Sequence, residues 1–211
     1  MNITITVMAH KRRKKQAEAL ARQLKKYPFA EVSITWDQIN DEWHTGERAM
    51  RAGIDKGDWH IVVQDDAILA PDFYAHLENA LSVVPVKSLI SLYTGQSRPL
   101  PDRVAKAVAK AKNVSWLRSN LLYWGVCIVI PTNHIADMLD FVSDRKELYD
   151  FRIGWAYMRQ RLPVFYTNPS LVDHDDDLGS ILGHGEAPGR RIAHNFIGDK
   201  KPIWNNRVLD I

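Results

Sequence analysis

The chain has 211 residues, 45% of them apolar, a formal charge of +3 and a pI near 8.9. That is enough apolar material for one α/β domain with a sizeable core, while the mild basicity is far below the level at which polyanion binding follows from composition alone. The single cysteine, Cys127, excludes an internal disulfide, and no stretch approaches the ~20 apolar residues of a membrane-spanning helix, so the expectation is a soluble, cytoplasmic protein in a reducing compartment.

Residues 1–9 are apolar but short, and Lys11, Arg12, Arg13, Lys14 and Lys15 follow them, whereas a signal peptide has its basic residues first. Ile3, Thr4, Ile5, Thr6 and Val7 are β-branched and predict a strand; Ala17, Leu20, Ala21 and Leu24 recur at helical spacing. Residues 31–36 alternate polar with apolar as a half-buried strand does, and end on Asp37. Thr45 is the expected cap of a helix through Glu47, Ala49, Met50, Ala52 and Ile54. After the Gly57-Asp58 turn comes the most informative segment, Trp59-His60-Ile61-Val62-Val63-Gln64-Asp65-Asp66-Ala67, an apolar strand that stops on two adjacent carboxylates.

Pro71-Asp72 opens a helix containing Phe73, Leu77, Ala80 and Leu81, and residues 88–93 form a buried strand closed by Thr94-Gly95. Residues 104–111 predict a helix, 121–130 a long strand stopped by Pro131, and 133–141 and 147–160 two more helices. From Leu162 onward prolines, glycines and aspartates predict mostly loop, either folding over a site or forming a poorly ordered tail. The alternation of strand and helix predicts an α/β fold with a mostly parallel central sheet flanked by helices.

Ligands in open α/β sheets bind beyond the carboxyl ends of strands, and three such ends carry polar groups: His10 with Arg13, Asp37, and Asp65 with Asp66. Carboxylates on a buried strand suit a divalent cation holding a phosphorylated substrate; the competing role is a polar turn in which Asp66 or Asp72 caps the next helix. His174 heads the run His174-Asp175-Asp176-Asp177, whose oxygens and one imidazole suit Mn²⁺ or Mg²⁺ better than structural zinc. His174 is the ligand of choice there, and Asp175, Asp176 and Asp177 read better as a solvated acidic loop.

Glu147, Asp150 and Arg152 surround a helix start, where a carboxylate either caps the helix or acts as a base. Arg48 is a candidate phosphate partner or an ordinary surface arginine. Lys11 to Lys15 and Lys25-Lys26 form a basic surface, solvated by default and a nucleic-acid contact in the sharper reading. Trp59 and Trp155 read as core, Trp124 as core or the border of a sugar site, and Cys127 as a buried thiol.

These residues resemble a known family. Met8-Ala9-His10 with Arg13, the strand ending on Asp37, and Val63-Gln64-Asp65-Asp66-Ala67 followed by Pro71-Asp72-Phe73 resemble the nucleotide-sugar-binding half of GT-A glycosyltransferases. Leu122-Tyr123-Trp124-Gly125-Val126, Asp150 with Trp155, Pro169-Ser170-Leu171-Val172-Asp173-His174 and Ser180 look like the acceptor half and closing loop. Small bacteriophage glycosyltransferases and the lipooligosaccharide galactosyltransferase type are similar. The resemblance implies one GT-A-like domain over 1–211, with a nucleotide-sugar-binding half at 1–95, an acceptor half and closing loop at 96–185, and a C-terminal extension at 186–211.

The resemblance further implies Mn²⁺ or Mg²⁺ on Asp66 and His174, and a nucleotide-sugar donor, a UDP-sugar first, held by His10, Arg13, Asp37, Arg48 and Asp65. Asp150 is the implied base. Gln64 stands where an Asp-x-Asp motif has its first carboxylate, which bears on Asp65 as a metal ligand more than on Asp66. The function expected is transfer of a sugar to an acceptor hydroxyl, on hydroxymethylated bases of duplex phage DNA or on a saccharide, in the host cytoplasm if the enzyme is a phage's. A nucleotidyltransferase, which typically adds a glycine-rich phosphate loop after its first strand, and a non-enzymatic DNA-binding accessory protein are the alternatives.

Overall fold

The computed structural model describes residues 1–27, 30–97, 99–179, 181 and 190–211. β1 (Ile3–Ala9) leads through a short 3-10 turn at Lys11–Arg13 into α1 (Lys14–Leu24), followed by β2 (Ala30–Trp36), α2 (Glu42–Arg51) and β3 (Trp59–Gln64). Then come β4 (Ala67–Leu69), α3 (Phe73–Ser82), β5 (Leu89–Ser91), α4 (Pro101–Lys110), β6 (Trp116–Ser119) and β7 (Cys127–Pro131). The chain continues with α5 (Thr132–Phe141), α6 (Tyr149–Arg159), β8 (Val164–Thr167), β9 (Val172–His174) and β10 (Val208–Asp210).

Eight strands form one sheet in the order β10-β6-β8-β5-β7-β3-β1-β2, and β4 with β9 form a separate two-stranded ribbon. The sheet is mixed. β1 runs parallel to both β2 and β3, β5 parallel to β8 and β6 parallel to β10, while β7 is antiparallel to β3 and β5 and β6 is antiparallel to β8. Helices cover both faces, so the central strands read as continuous apolar runs: Ile61, Val62 and Val63 are all within 1% of complete burial. Each such side chain contributes ~1.5–3 kcal/mol relative to exposure. The buried apolar residues form one cluster, drawn from the whole length of the chain.

Several elements differ from the sequence reading. Residues 121–126 are not strand, because the buried Tyr166 hydroxyl donates to Leu121 O at 2.7 Å and accepts from Tyr123 N at 2.8 Å, tying up the backbone groups a ladder would need. Regular β7 therefore begins only at Cys127, whose thiol is fully buried and raised in pKa by that burial. α2 starts earlier than expected and is capped by Asp41, whose carboxylate accepts from His44 N at 2.8 Å; Thr45 lies inside the helix. The region after Leu162 holds β8, β9 and β10, short strands whose breaks at proline and aspartate mask any periodicity. Trp59 is core, but Trp155 is exposed on α6, whose buried face is Tyr149, Ile153, Ala156 and Tyr157; the Arg145 guanidinium covers its ring at 5.3 Å. Among the described residues no helix is long and apolar enough to cross a membrane.

Candidate functional site

The parallel register of β1, β2 and β3 pairs Ala9 with Trp36 and Met8 with Gln64, so the residues that follow, His10, Asp37 and Asp65, emerge at one level at the carboxyl edge. An open cleft there is lined by His10, Arg13, Asp37, Asp65, Asp66 and His174 together with Asp41, Glu42, Thr45, Gln64, Ile181 and Arg191. His174 arrives from far along the chain through the β4–β9 ribbon, where it pairs directly with Ala67. Asp175 N then donates to Asp66 O at 2.9 Å and locks the two segments together.

Arg13 is the centre of the charge arrangement. Nη1 donates to Asp65 Oδ1 at 3.0 Å and to Asp66 Oδ2 at 2.5 Å, and Nη2 donates to the Gly179 carbonyl at 2.6 Å. The residue is only 9% exposed; burial opposes its charge, but the two aspartates more than offset that and raise its pKa. Asp65 is raised, because burial outweighs the His10 amide, which donates to Oδ2 at 2.7 Å, and Arg13. Asp66 is lowered: burial pushes it up, and His174 and Arg13 together overcome that.

His174 Nε2 lies 3.2 Å from Asp66 Oδ2, while Asp66 Oδ1 and His174 Nδ1 are buried without a hydrogen-bond partner. An unpartnered buried carboxylate oxygen costs ~1–3 kcal/mol and leaves Asp66 able to accept from an ordered water or bind a cation. One carboxylate and one imidazole fit Mn²⁺ or Mg²⁺ of the kind that takes its remaining oxygens from substrate phosphate and water. Among the described residues no group of three His, Cys, Asp or Glu side chains gathers to hold a metal alone. Asp65, with one oxygen on the His10 amide and the other on Arg13, serves to hold the β1 turn against β3.

Asp37 is organised differently. Its Oδ1 collects the amides of Ile39, Asn40 and Asp41 at 3.2, 3.0 and 3.4 Å and the Thr45 hydroxyl at 3.1 Å, which shapes the turn into α2. Burial raises its pKa, and these donors bring it below the ordinary value. Oδ2 faces His10 Nε2 at 3.5 Å.

Two expected site residues lie off the cleft wall. Arg48 turns its guanidinium to the Trp36 carbonyl at 3.1 Å, pinning β2 to α2. Asp150 sits in the first turn of α6 behind the wall; its Oδ1 is buried and unpartnered, and burial, reinforced by Glu42, raises its pKa well above the usual carboxylate range. Trp124 is 6% exposed and packs edge-on against Tyr93 and Tyr166, as core. Ser180 lies outside the described residues.

No protein-family model matches the chain, and no curated protein matches it. Among solved structures, A197 from STIV is similar over 100% of this chain and 98% of that one, at 10% identity and a TM-score of 0.50. A glycosyltransferase involved in the glycosylation of the major capsid of PBCV-1 is similar over 79% and 81% of the two chains, at 8% identity and a TM-score of 0.45. A structure described as a glucose-1-phosphate thymidylyltransferase from Bacillus anthracis, in complex with a sucrose, follows at 7% identity and 0.43, over 78% and 85%. The match to A197 shows a shared fold and no more; the other two, at lower scores, carry no argument.

The site also contains residues that sequence reasoning passed over. Asp41 and Glu42 follow a strand that ends on a carboxylate, and a capping signature at Asp41 was there to be seen. Arg191 had no such signal. It reaches the cleft because its amide donates to Asp176 Oδ1 at 3.0 Å and its guanidinium to Leu178 O at 2.7 Å, contacts made only on folding.

Proposed function

We propose that this protein is a metal-dependent glycosyltransferase of GT-A type, moving a sugar from a nucleotide-sugar donor, a UDP-sugar first, to an acceptor hydroxyl. The observation that carries this reading is the meeting of Asp66 and His174, residues 108 positions apart in the numbering, at the rim that also presents His10, Arg13 and Asp37. The buried orphan oxygen of Asp66 supports a ligand there, which a helix-capping aspartate in a non-enzymatic protein would not need.

In this scheme Asp66 and His174 would hold Mn²⁺ or Mg²⁺ beside the donor diphosphate. The cation supplies charge neutralisation for the departing phosphate. Arg13, already paired with both aspartates, holds Asp66 in place for the cation, and Asp37 and His10 face the nucleoside. The attacking hydroxyl forms its bond to the anomeric carbon as the bond to phosphate breaks, and its proton passes to a carboxylate on the α2–α6 side of the cleft.

Exposed Lys11, Arg12, Lys14 and Lys15 run from the rim at His10 along α1 and favour a polyanionic acceptor, hydroxymethylated duplex DNA ahead of a neutral saccharide. The strand-one turn is a 3-10 turn rich in Lys and Arg without glycine, which disfavours nucleotidyl transfer.

The test is incubation with a panel of nucleotide sugars and Mn²⁺, with and without duplex DNA containing hydroxymethylated bases. Release of nucleoside diphosphate that disappears on chelation and in Asp66→Asn is the expected result. A folded protein that releases none from any donor overturns the reading.

A further inference from the structure

We propose that Glu42 is the carboxylate that takes the proton of the attacking hydroxyl, with Asp150 as its positioning partner; this rests on the transferase reading above. Glu42 opens α2, and Gly46 lies one turn further along the same helix face. That face meets α6: a Cβ on Gly46 would come within 2.3 Å of the Tyr149 ring, and one on Gly125 within 2.4 Å of Asp150 Oδ1. The two glycines thus let α2 and the 121–126 segment close on the Tyr149-Asp150 pair. Glu42 lines the cleft, which Tyr149 and Asp150 do not, and its charge acts on both of them.

The chemistry separates the two carboxyl groups. Asp150 Oδ1 and the Tyr149 hydroxyl are buried without partners, out of reach of a bulky acceptor. Glu42 is in the cleft wall, with the Gln64 side-chain amide donating to its Oε1 at 3.4 Å, two residues from Asp66. Among the groups around the two carboxyls are Tyr149 on α6, Tyr166 on β8, the Gly125 amide and the Gln64 side-chain amide, and Arg152 stacks over Trp43 next door at 4.5 Å. Burial, reinforced by Glu42, pushes the Asp150 pKa up, so Asp150 favours its neutral form and acts on Glu42 through charge and packing, not as a competing base. The acceptor O–H bond breaks toward Glu42, the acceptor oxygen bonds to the anomeric carbon, and the electron pair of the anomeric carbon–oxygen bond leaves with the diphosphate.

The test uses the full chain with whichever nucleotide sugar of the panel it hydrolyses and water as the acceptor, so that no acceptor need be known. Binding of UDP with Mn²⁺ is measured alongside turnover. The expected result for Glu42→Gln is a fall in kcat of about 100-fold, with UDP affinity within twofold of the parent and the acidic limb of the pH–kcat profile gone. Glu42→Asp recovers part of kcat and restores that limb. Asp150→Asn lowers kcat less and moves the limb without removing it. A Glu42→Gln protein that keeps full kcat, or an Asp150→Asn protein that alone loses the limb, overturns the assignment while leaving the transferase reading intact. Absence of both UDP binding and turnover in the parent overturns both.

Discussion

Asp66 Oδ2 lies 3.2 Å from Nε2 of His174, although Asp66 sits in the turn between β3 and β4 and His174 ends β9, far along the chain. Neither residue spends its remaining buried polar atom on a hydrogen bond. If a cation joins them, Asp66→Asn and His174→Ala each weaken Mn²⁺ binding at least tenfold, ~1.4 kcal/mol, while circular dichroism stays unchanged. Titration calorimetry with Mn²⁺ alone reads this directly. Equal Mn²⁺ affinity in parent and both variants would remove the pair from the metal site.

Arg13 neutralises two carboxylates at once. Arg13→Met leaves Asp65 and Asp66 buried side by side without their counter-charge, which should cost ~3–5 kcal/mol at pH 7. The sign of its pH dependence follows from Asp65: burial already raises its pKa, loss of Arg13 raises it further, and the variant therefore recovers stability as pH falls toward 5, while His174 still holds Asp66 down. Urea unfolding of parent and variant at both pH values checks it.

His60 couples pH to stability in the opposite sense. Its ring bridges Thr4 Oγ1 at 2.7 Å and the Ala49 carbonyl at 2.8 Å, and burial lowers its pKa from 6.5 to about 4. The unfolded chain therefore binds a proton first. Stability contributed by the neutral ring is whole above pH 6.5 and is lost as pH falls from 6.5 to 4, by ~3 kcal/mol in all. In His60→Gln the loss over this interval should shrink by about that amount, measured from thermal melts at constant ionic strength.

Gly46 and Gly125 exist where they do because Tyr149 and Asp150 occupy the space a side chain would fill. Gly46→Ala and Gly125→Ala should each destabilise by ~1–3 kcal/mol through overpacking. Gly125→Ala should also reduce donor turnover, since it displaces Asp150 and with it Glu42. Unchanged melting temperatures in both variants would show that the α2–α6 contact is loose.

Much of the molecule was already present in the one-dimensional string. The β-branched run at residues 3–7, the helical spacing of Ala17, Leu20 and Leu24, and the apolar strand stopping at Asp65-Asp66 are local periodicities, and burial on one or both faces enforces them wherever the chain goes. From them the elements β1, α1, β2 and β3 follow, as does the prediction that polar strand ends share one rim. Folding alone decided the rest. The segment 121–126 has strand composition, yet its backbone is claimed by the Tyr166 hydroxyl; the antiparallel course of β7 and the strands β8 to β10 depend on pairing partners more than twenty residues away. The meeting of His174 with Asp66, the burial of Asp150 off the cleft wall, and the capture of Arg13 by two carboxylates and Gly179 O arise from contacts between distant residues, and no local pattern encodes which distant groups a chain will bring into contact.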